Sequence, residues 1–332
     1  MVYKPEKKVK IGYVTILEKS ENNIWDKLKN IYKYFLNKID IENAGNNIIL
    51  KIPMRLYKKN NSKKIRKIIN KINNEISNSE IDSIVLSEEV KQIVYKYKQE
   101  NENEIFLFLK PILDGKFLMK NLAVDILNKI LEYQNVFIST TPIYLLVEKY
   151  NKENNDIICA LSKEVKNINI VTNNISNFKK LEDKLFTNTG TAISVANNKK
   201  KSLRRAEIII NLDFSNEMIS KYNINRSAII INCNNTDINL EIGFEGVIIN
   251  KVQYEEKQEA LEYFRIYDLI KKFEVSELYE SLIFNKSYDK IQKLKREYNF
   301  KIKEFIGNRG VISIEELKVK ILKNNSNNLT KV

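Results

Sequence analysis

Thr191-Ala-Ile-Ser-Val-Ala196, then Asn197-Asn-Lys-Lys-Lys-Ser-Leu-Arg-Arg205, then Glu207-Ile-Ile-Ile-Asn-Leu-Asp213, and after a short polar segment Ala228-Ile-Ile-Ile-Asn-Cys233, is the stretch whose reading decides the fold. Its apolar runs are rich in β-branched residues and do not alternate with polar ones, the pattern of strands buried on both faces of a parallel sheet. Such a sheet is covered by helices, so the stretch predicts the heart of an α/β domain.

Working outward from it, the same rhythm repeats on the N-terminal side. Ile143 to Glu148 reads as a strand, Asn151 to Asp156 as a polar connection, and Ile157, Ile158, Leu161 and Val165 as a helix. Asn167 to Thr172 is the next strand, and Ile175, Phe178, Leu181 and Leu185 mark a helix stopped by Gly190. Asn197 to Arg205 is expected to be a loop and a short helix. Ser215 caps another, running to about Tyr222, and Glu245 to Val252 is a last, edge-like strand. Strand and helix alternate throughout, the order of a doubly wound sheet with right-handed crossovers.

The first third of the chain predicts another α/β layer. Strands are expected at Val9 to Leu17, Asn47 to Met54, Ile81 to Leu86 and Glu104 to Leu109. Between them lie helices: an apolar stripe over Asn23 to Lys38, an isoleucine stripe (Ile65, Ile68, Ile69, Ile72, Ile76) over Ser62 to Ile76, and a run from Ser87 to about Tyr97. A long helix is expected from Phe117 to Gln134. Beyond Lys251 the pattern changes to charged helices, a turn at Gly307-Asn-Arg-Gly310, and a capping box at Ser313-Ile-Glu-Glu316 that starts a final helix.

The fold class is therefore α/β, with two α/β domains, the second a Rossmann-like doubly wound parallel sheet, and C-terminal helices packing back on the first. The boundaries fall at 1–135, 136–254 and 255–323, with 324–332 as a flexible tail. With 332 residues there is ample core for two domains.

Composition excludes more chemistry than it suggests. There is no histidine, which removes Ser-His and Cys-His nucleophiles, imidazole metal sites and imidazole acid-base catalysis. None of the eight glycines falls in GxGxxG or GxxxxGK[ST]. No metal site is expected. The two cysteines, Cys159 and Cys233, lie in apolar surroundings and read as buried, reduced thiols. The basic start from Met1 to Lys10 is followed by an apolar run too short for a signal-peptide core, and no run approaches a membrane span. The expected setting is the cytoplasm, away from membranes.

A net charge of +14 favours an anionic partner. In a chain saturated with Lys, Asn and Ile, however, only local clustering distinguishes a surface. Two groups are candidates. Lys110, Asp114 and Lys116 form an acid-base grouping beside a proline and a glycine, in which a desolvated lysine could act as a base; ordinary turn charges are the other reading. Lys199, Lys200, Lys201, Arg204 and Arg205 follow the carboxyl end of a strand, where open sheets collect ligands, and Thr172, Asn173 and Asn174 end the neighbouring strand. These eight residues are the candidates for a phosphate-bearing ligand or cofactor, or for an acidic partner; a solvated lysine-rich loop is the alternative.

Asn173-Asn174 after a strand, the glycine-stopped helix, Ser202-Leu-Arg-Arg-Ala206 leading into Glu207-Ile-Ile-Ile-Asn211, and Ala228-Ile-Ile-Ile-Asn232 resemble the cofactor domain of the shikimate and methylene-tetrahydrofolate dehydrogenase group over about residues 143–252. The resemblance implies a two-domain chain that holds NADP in its second domain. The chain departs from it at Lys149-Tyr-Asn-Lys-Glu-Asn-Asn155, where the pyrophosphate turn carries no glycine to let the backbone approach. Three functions follow in order: a non-catalytic or degenerate Rossmann-like protein binding a small anionic ligand or a protein partner; an NAD(P)-dependent oxidoreductase; and a nucleic-acid binder.

Overall fold

A computed structural model describes residues 9–17, 39–53, 62–100, 108–238, 240 and 243–318. In chain order these form strands β1 (Ile11–Leu17), β2 (Asp40–Ala44) and β3 (Asn47–Pro53), helix α1 (Ser62–Asn78), β4 (Ser83–Leu86) and α2 (Glu88–Glu100). Next come α3 (Lys116–Asn121), α4 (Ala123–Gln134), β5 (Ile143–Leu146), α5 (Lys152–Glu164), β6 (Asn167–Val171), α6 (Ile175–Thr189), β7 (Ala192–Ala196), β8 (Ile208–Asn211), α7 (Asn216–Ile219), β9 (Ile229–Asn232), β10 (Val247–Ile249) and β11 (Lys251–Tyr254). The chain closes with α8 (Gln258–Ile266), α9 (Val275–Ile283), α10 (Tyr288–Tyr298), β12 (Ile302–Gly307) and β13 (Gly310–Ile312). The helix expected at Asn23 to Lys38, most of the strand expected at Glu104 to Leu109, and the tail at 324–332 lie outside the described residues.

Two compact units result. The first takes Met1–Asp114 and Glu256–Asn285, the second Gly115–Glu255 and Lys286–Val332. The division thus falls after Asp114 rather than at 135, and α3 and α4 belong to the second unit. Of the C-terminal helices, α8 and α9 return to the first unit and α10 joins the second.

In the first unit the sheet runs β2-β3-β1-β4, with β1 parallel to β3 and β4 and a β2–β3 antiparallel hairpin at one edge. The strand at Asp40–Ala44 is unannounced in the sequence because Ile41 is its one large apolar residue. The isoleucine stripe of α1 is buried on this sheet as its spacing predicts. The returning segment supplies partners for Tyr13 of β1: Phe264 on α8 and Phe273 in the connection to α9 stack edge-on at 6.0 and 5.5 Å. The Tyr13 hydroxyl lies 2.9 Å from Ser281 Oγ, and burial pushes its phenol above the ordinary range.

The second unit carries the sheet predicted from the opening stretch. Its order is β10-β9-β8-β5-β6-β7 and every pair is parallel. β5 is central; the chain moves outward through β6 and β7, crosses back, and moves outward the other way through β8, β9 and β10. That is the doubly wound Rossmann order, and its direction reverses between β5 and β8. All four residues of β8 and of β9 are buried, each isoleucine worth about 1.5–3 kcal/mol relative to exposure.

Several local expectations change. The helix expected from Phe117 to Gln134 breaks at Leu122 into α3 and α4. The polar residues from Lys152 to Asp156 are helical, because Asn151 caps α5 by accepting from the Asn154 amide at 2.8 Å. No helix forms at Lys199 to Arg205, which is a run of turns. The strand expected at Glu245 to Val252 splits, β10 ending the large sheet and β11 starting an antiparallel sheet, β11-β12-β13. The Gly307–Gly310 turn is where expected and joins two strands. Gly190 ends α6 in the left-handed conformation, φ 71°. Ser313 and Glu316 form the reciprocal capping box, at 2.9 and 3.1 Å.

Candidate functional site

Ligands of doubly wound sheets sit beyond the carboxyl ends of the strands where the order reverses, here past Leu146 of β5 and Asn211 of β8. The chain itself fills that position. Asp213, two residues beyond β8, accepts from the backbone N–H of Glu148 at 2.6 Å and of Lys149 at 3.0 Å, and from the Asn154 side-chain amide at 3.0 Å. That amide also donates to the Lys149 carbonyl at 2.7 Å. The turn before α5 therefore has its donors committed to an internal carboxylate.

The neighbouring strand end is tied up in the same way. Glu148 accepts from Asn173 through both its backbone N–H, at 3.0 Å, and its side-chain amide, at 3.2 Å. Thr172 accepts from the Asn174 N–H at 3.0 Å, and Asn174 accepts from Asn177 at 2.9 Å. The three polar candidates just beyond β6 are thus brought together, around Glu148 and one another.

On the other side of the reversal the sheet ends in a chain of asparagines. β8, β9 and β10 finish as Ile208-Ile-Ile-Asn211, Ile229-Ile-Ile-Asn232 and Val247-Ile-Ile-Asn250, a repeat legible in the sequence once the three are aligned. Parallel register sets the amides about 4.8 Å apart, so each reaches the next. Asn211 donates to Asn232 at 2.9 Å, Asn232 donates to Asn250 at 2.8 Å, and Asn250 donates to Asn308 in the β12–β13 turn. Asn308 donates onward to the Ile238 carbonyl at 2.9 Å. All three strand-end asparagines are buried.

Lys116 joins this cluster. Its ammonium donates to the Asn232 carbonyl at 3.1 Å and to the Asn250 carbonyl, and lies 3.5 Å from Asp237. Its side chain is 8% exposed. Of its sequence companions, Lys110 and Asp114 are half-buried and belong to the first unit. Residues 111–113 run beside β4 rather than forming a free turn, with Ile84 donating to the Pro111 carbonyl at 3.0 Å and Leu113 to Ile84 at 2.8 Å. Next to Asn232, burial pushes the Cys233 thiol up to about 12, with Lys116 and Lys120 pulling the other way. Cys159 is half-buried rather than buried, and burial also raises its thiol.

The basic segment is the remaining candidate. Lys199, Lys200, Lys201, Arg204 and Arg205 are all exposed, while Leu203 between them is fully buried under the sheet. Asn198 caps the first turn, accepting from the N–H groups of Lys200 and Lys201 at 3.1 and 3.0 Å. The segment spans the sheet from one end to the other. It leaves the carboxyl end of β7, and Arg205 reaches the amino ends of the strands, where it opposes the upward shift that burial and Glu207 give the Tyr144 phenol.

Two backbone bonds zip this segment to the stretch after α7, Asn223 N–H to the Lys199 carbonyl at 2.8 Å and Asn225 N–H to Leu203 at 3.0 Å. They bring exposed Lys221 and Arg226 alongside, two cations that a linear reading of the cluster misses. None of the seven forms an ion pair with a described residue, whereas Lys51, Lys91, Lys120 and Lys295 all do. No group of three or more metal-ligating side chains occurs among the described residues, and no described helix is long and apolar enough to cross a membrane.

A Rossmann-like α/β protein is the class that fold and rim define. No family model matches the sequence, and no curated protein matches it. Solved structures similar to the chain include L-tryptophan dehydrogenase from Nostoc punctiforme, at 10% identity over 98% of this chain and 90% of that one, with a TM-score of 0.31. Ornithine carbamoyltransferase from Pyrococcus furiosus is similar at 10% identity over 72% and 75%, TM-score 0.26. Aspartate transcarbamoylase from Trypanosoma cruzi with carbamoyl phosphate is similar at 9% over 71% and 73%, TM-score 0.27.

Proposed function

We propose that the chain is a non-catalytic Rossmann-like binding protein whose second unit offers a basic surface to an acidic protein partner. The observation that carries this reading is the group of seven exposed cations at residues 199–205, 221 and 226, none ion-paired among the described residues. Their spread over a run of exposed turns suits a broad carboxylate-rich surface better than a small phosphate ligand, which needs converging donors. No exposed aromatic ring lies among them, so the stacking that single-stranded nucleic acid uses has no platform here.

Fluorescence anisotropy with labelled poly-glutamate, duplex DNA and NADP tests the reading. Poly-glutamate is expected to bind, to weaken as salt screens the pair over about 10 Å, and to be lost in the Lys200→Glu, Arg204→Glu variant. NADP binding would favour an NAD(P)-dependent oxidoreductase, with the nicotinamide cofactor held in the second unit in the manner of the shikimate dehydrogenase group. DNA binding without poly-glutamate binding would favour a nucleic-acid protein. Either outcome overturns the proposal.

A further inference from the structure

We propose that Asp213 is a built-in anion seated where a Rossmann-type domain receives a ligand's phosphate, so that the second unit retains an oxyanion site and occupies it with its own carboxylate. The inference is independent of the basic surface. Three observations meet at this point.

The first is position. Asp213 lies beyond β8 and its partners lie beyond β5, the two strands between which the sheet order reverses. The second is the donor set. Two successive backbone N–H groups, of Glu148 and Lys149, and one side-chain amide converge on the two carboxylate oxygens at 2.6–3.0 Å, as they would on two oxygens of a phosphate. The turn leads directly into α5, a helix of 13 residues, whose N-terminus favours negative charge.

The third is Asn154 in the first turn of α5. It is completely buried, and its amide nitrogen faces Asp213 and the Lys149 carbonyl, leaving its own carbonyl oxygen without a partner. A buried acceptor left unpaired is unfavourable. The amide is held in this orientation by the anion in front of it. The bulky turn residues that replace glycine do not abolish the donors; they leave them to a side chain that approaches from the next strand.

Removing the carboxylate should therefore create a vacancy that a free oxyanion fills. The experiment compares melting temperatures of the wild-type chain, Asp213→Ala, Asp213→Asn and a control, Asp289→Ala at an exposed position of α10, with and without inorganic phosphate or pyrophosphate. Both Asp213 variants are expected to melt lower than wild type. Phosphate at saturating concentration should raise the alanine variant by on the order of 5 °C, with little effect on wild type or control, because only the vacated site binds the ligand in the folded state. An equal rise in all four proteins, or none in a folded Asp213→Ala, overturns the proposal. Should the alanine variant fail to fold in plain buffer, phosphate-dependent refolding supports the proposal. Failure of both Asp213 variants to recover in phosphate overturns it.

Discussion

Lys116 and the cations of residues 199–205 belong to the same unit of the same lysine-rich chain and are placed oppositely. Lys116 is buried with its ammonium against the Asn232 and Asn250 carbonyls and Asp237. The five at 199–205 are exposed with no ion pair among the described residues. A buried ammonium surrounded by oxygen is already committed; its removal leaves carbonyl groups at the ends of β9 and β10 without a donor. An exposed unpaired cation has no internal duty. The difference separates a lysine that holds the fold from lysines open to another molecule, a distinction that residue type and local charge count do not make.

The comparison breaks most visibly at Lys116. In Lys116→Met the apolar stem remains and the charge goes. Asp237 is 72% exposed, so the cost lies in the two carbonyls left without their donor, about 1–3 kcal/mol each, and calorimetry should show the second unit melting on the order of 10 °C lower. A change within about 2 °C would mean that the ammonium does not hold the strand ends. The next largest effect is expected for Asn232→Ala, the middle rung of the asparagine chain. It removes one of two hydrogen bonds at the Asn211 amide, which keeps the Phe214 carbonyl, and one of two at the Asn250 oxygen, which keeps the Ile238 N–H, for about 2 kcal/mol. Asn211→Ala removes an end rung and should cost less; the reverse order would show that the rungs act singly.

Cys233 reports on the same region by pH. Its thiol is raised to about 12 from an ordinary 9.0, chiefly by burial. A raised folded-state value means that its contribution to stability is fully present below pH 9 and is lost as pH climbs toward 12. At pH 8 a maleimide should label half-buried Cys159 slowly and leave Cys233 untouched until the unit unfolds. Rapid labelling of both thiols in the native protein would contradict the packing around Asn232.

The sheet was legible because its strands are short, β-branched and buried on both faces, so that Ile208 to Asn211 and Ile229 to Asn232 could hardly be anything else. The same feature hid the ends. Asn211, Asn232 and Asn250 each look like an ordinary polar strand terminus, and their meaning comes from a register that aligns them across three strands. Asp213 was equally silent, since its partners at 148, 149 and 154 are some sixty residues away. The missing glycine at Lys149 to Asn155 did point to an altered turn. It did not reveal that the donors survive. The basic cluster was visible in one dimension, but Lys221 and Arg226 join it through backbone bonds that no periodicity encodes. The β12–β13 hairpin was masked by the charged helical pattern around it, and its six-residue first strand, Ile302–Gly307, carries its large apolar residues at 302, 305 and 306, a helical rather than an alternating spacing.

The smallest expected effect is the one that sharpens the comparison furthest. Lys200→Glu and Arg204→Glu touch exposed side chains without ion pairs among the described residues, so each should change stability by no more than about 0.5 kcal/mol and melting by about 1–2 °C. Asn198→Ala alters no charge but removes the acceptor for two backbone N–H groups, and should cost about 1 kcal/mol. If the cations serve an outside partner, the two kinds of change must separate: charge reversal abolishes poly-glutamate binding at unchanged stability, and loss of the Asn198 cap lowers stability while the charges, and most of the binding, persist. Were charge reversal to destabilise the unit as much as the cap variant, residues 199–205 would be part of the fold's own electrostatics, and the contrast with Lys116 would be one of degree.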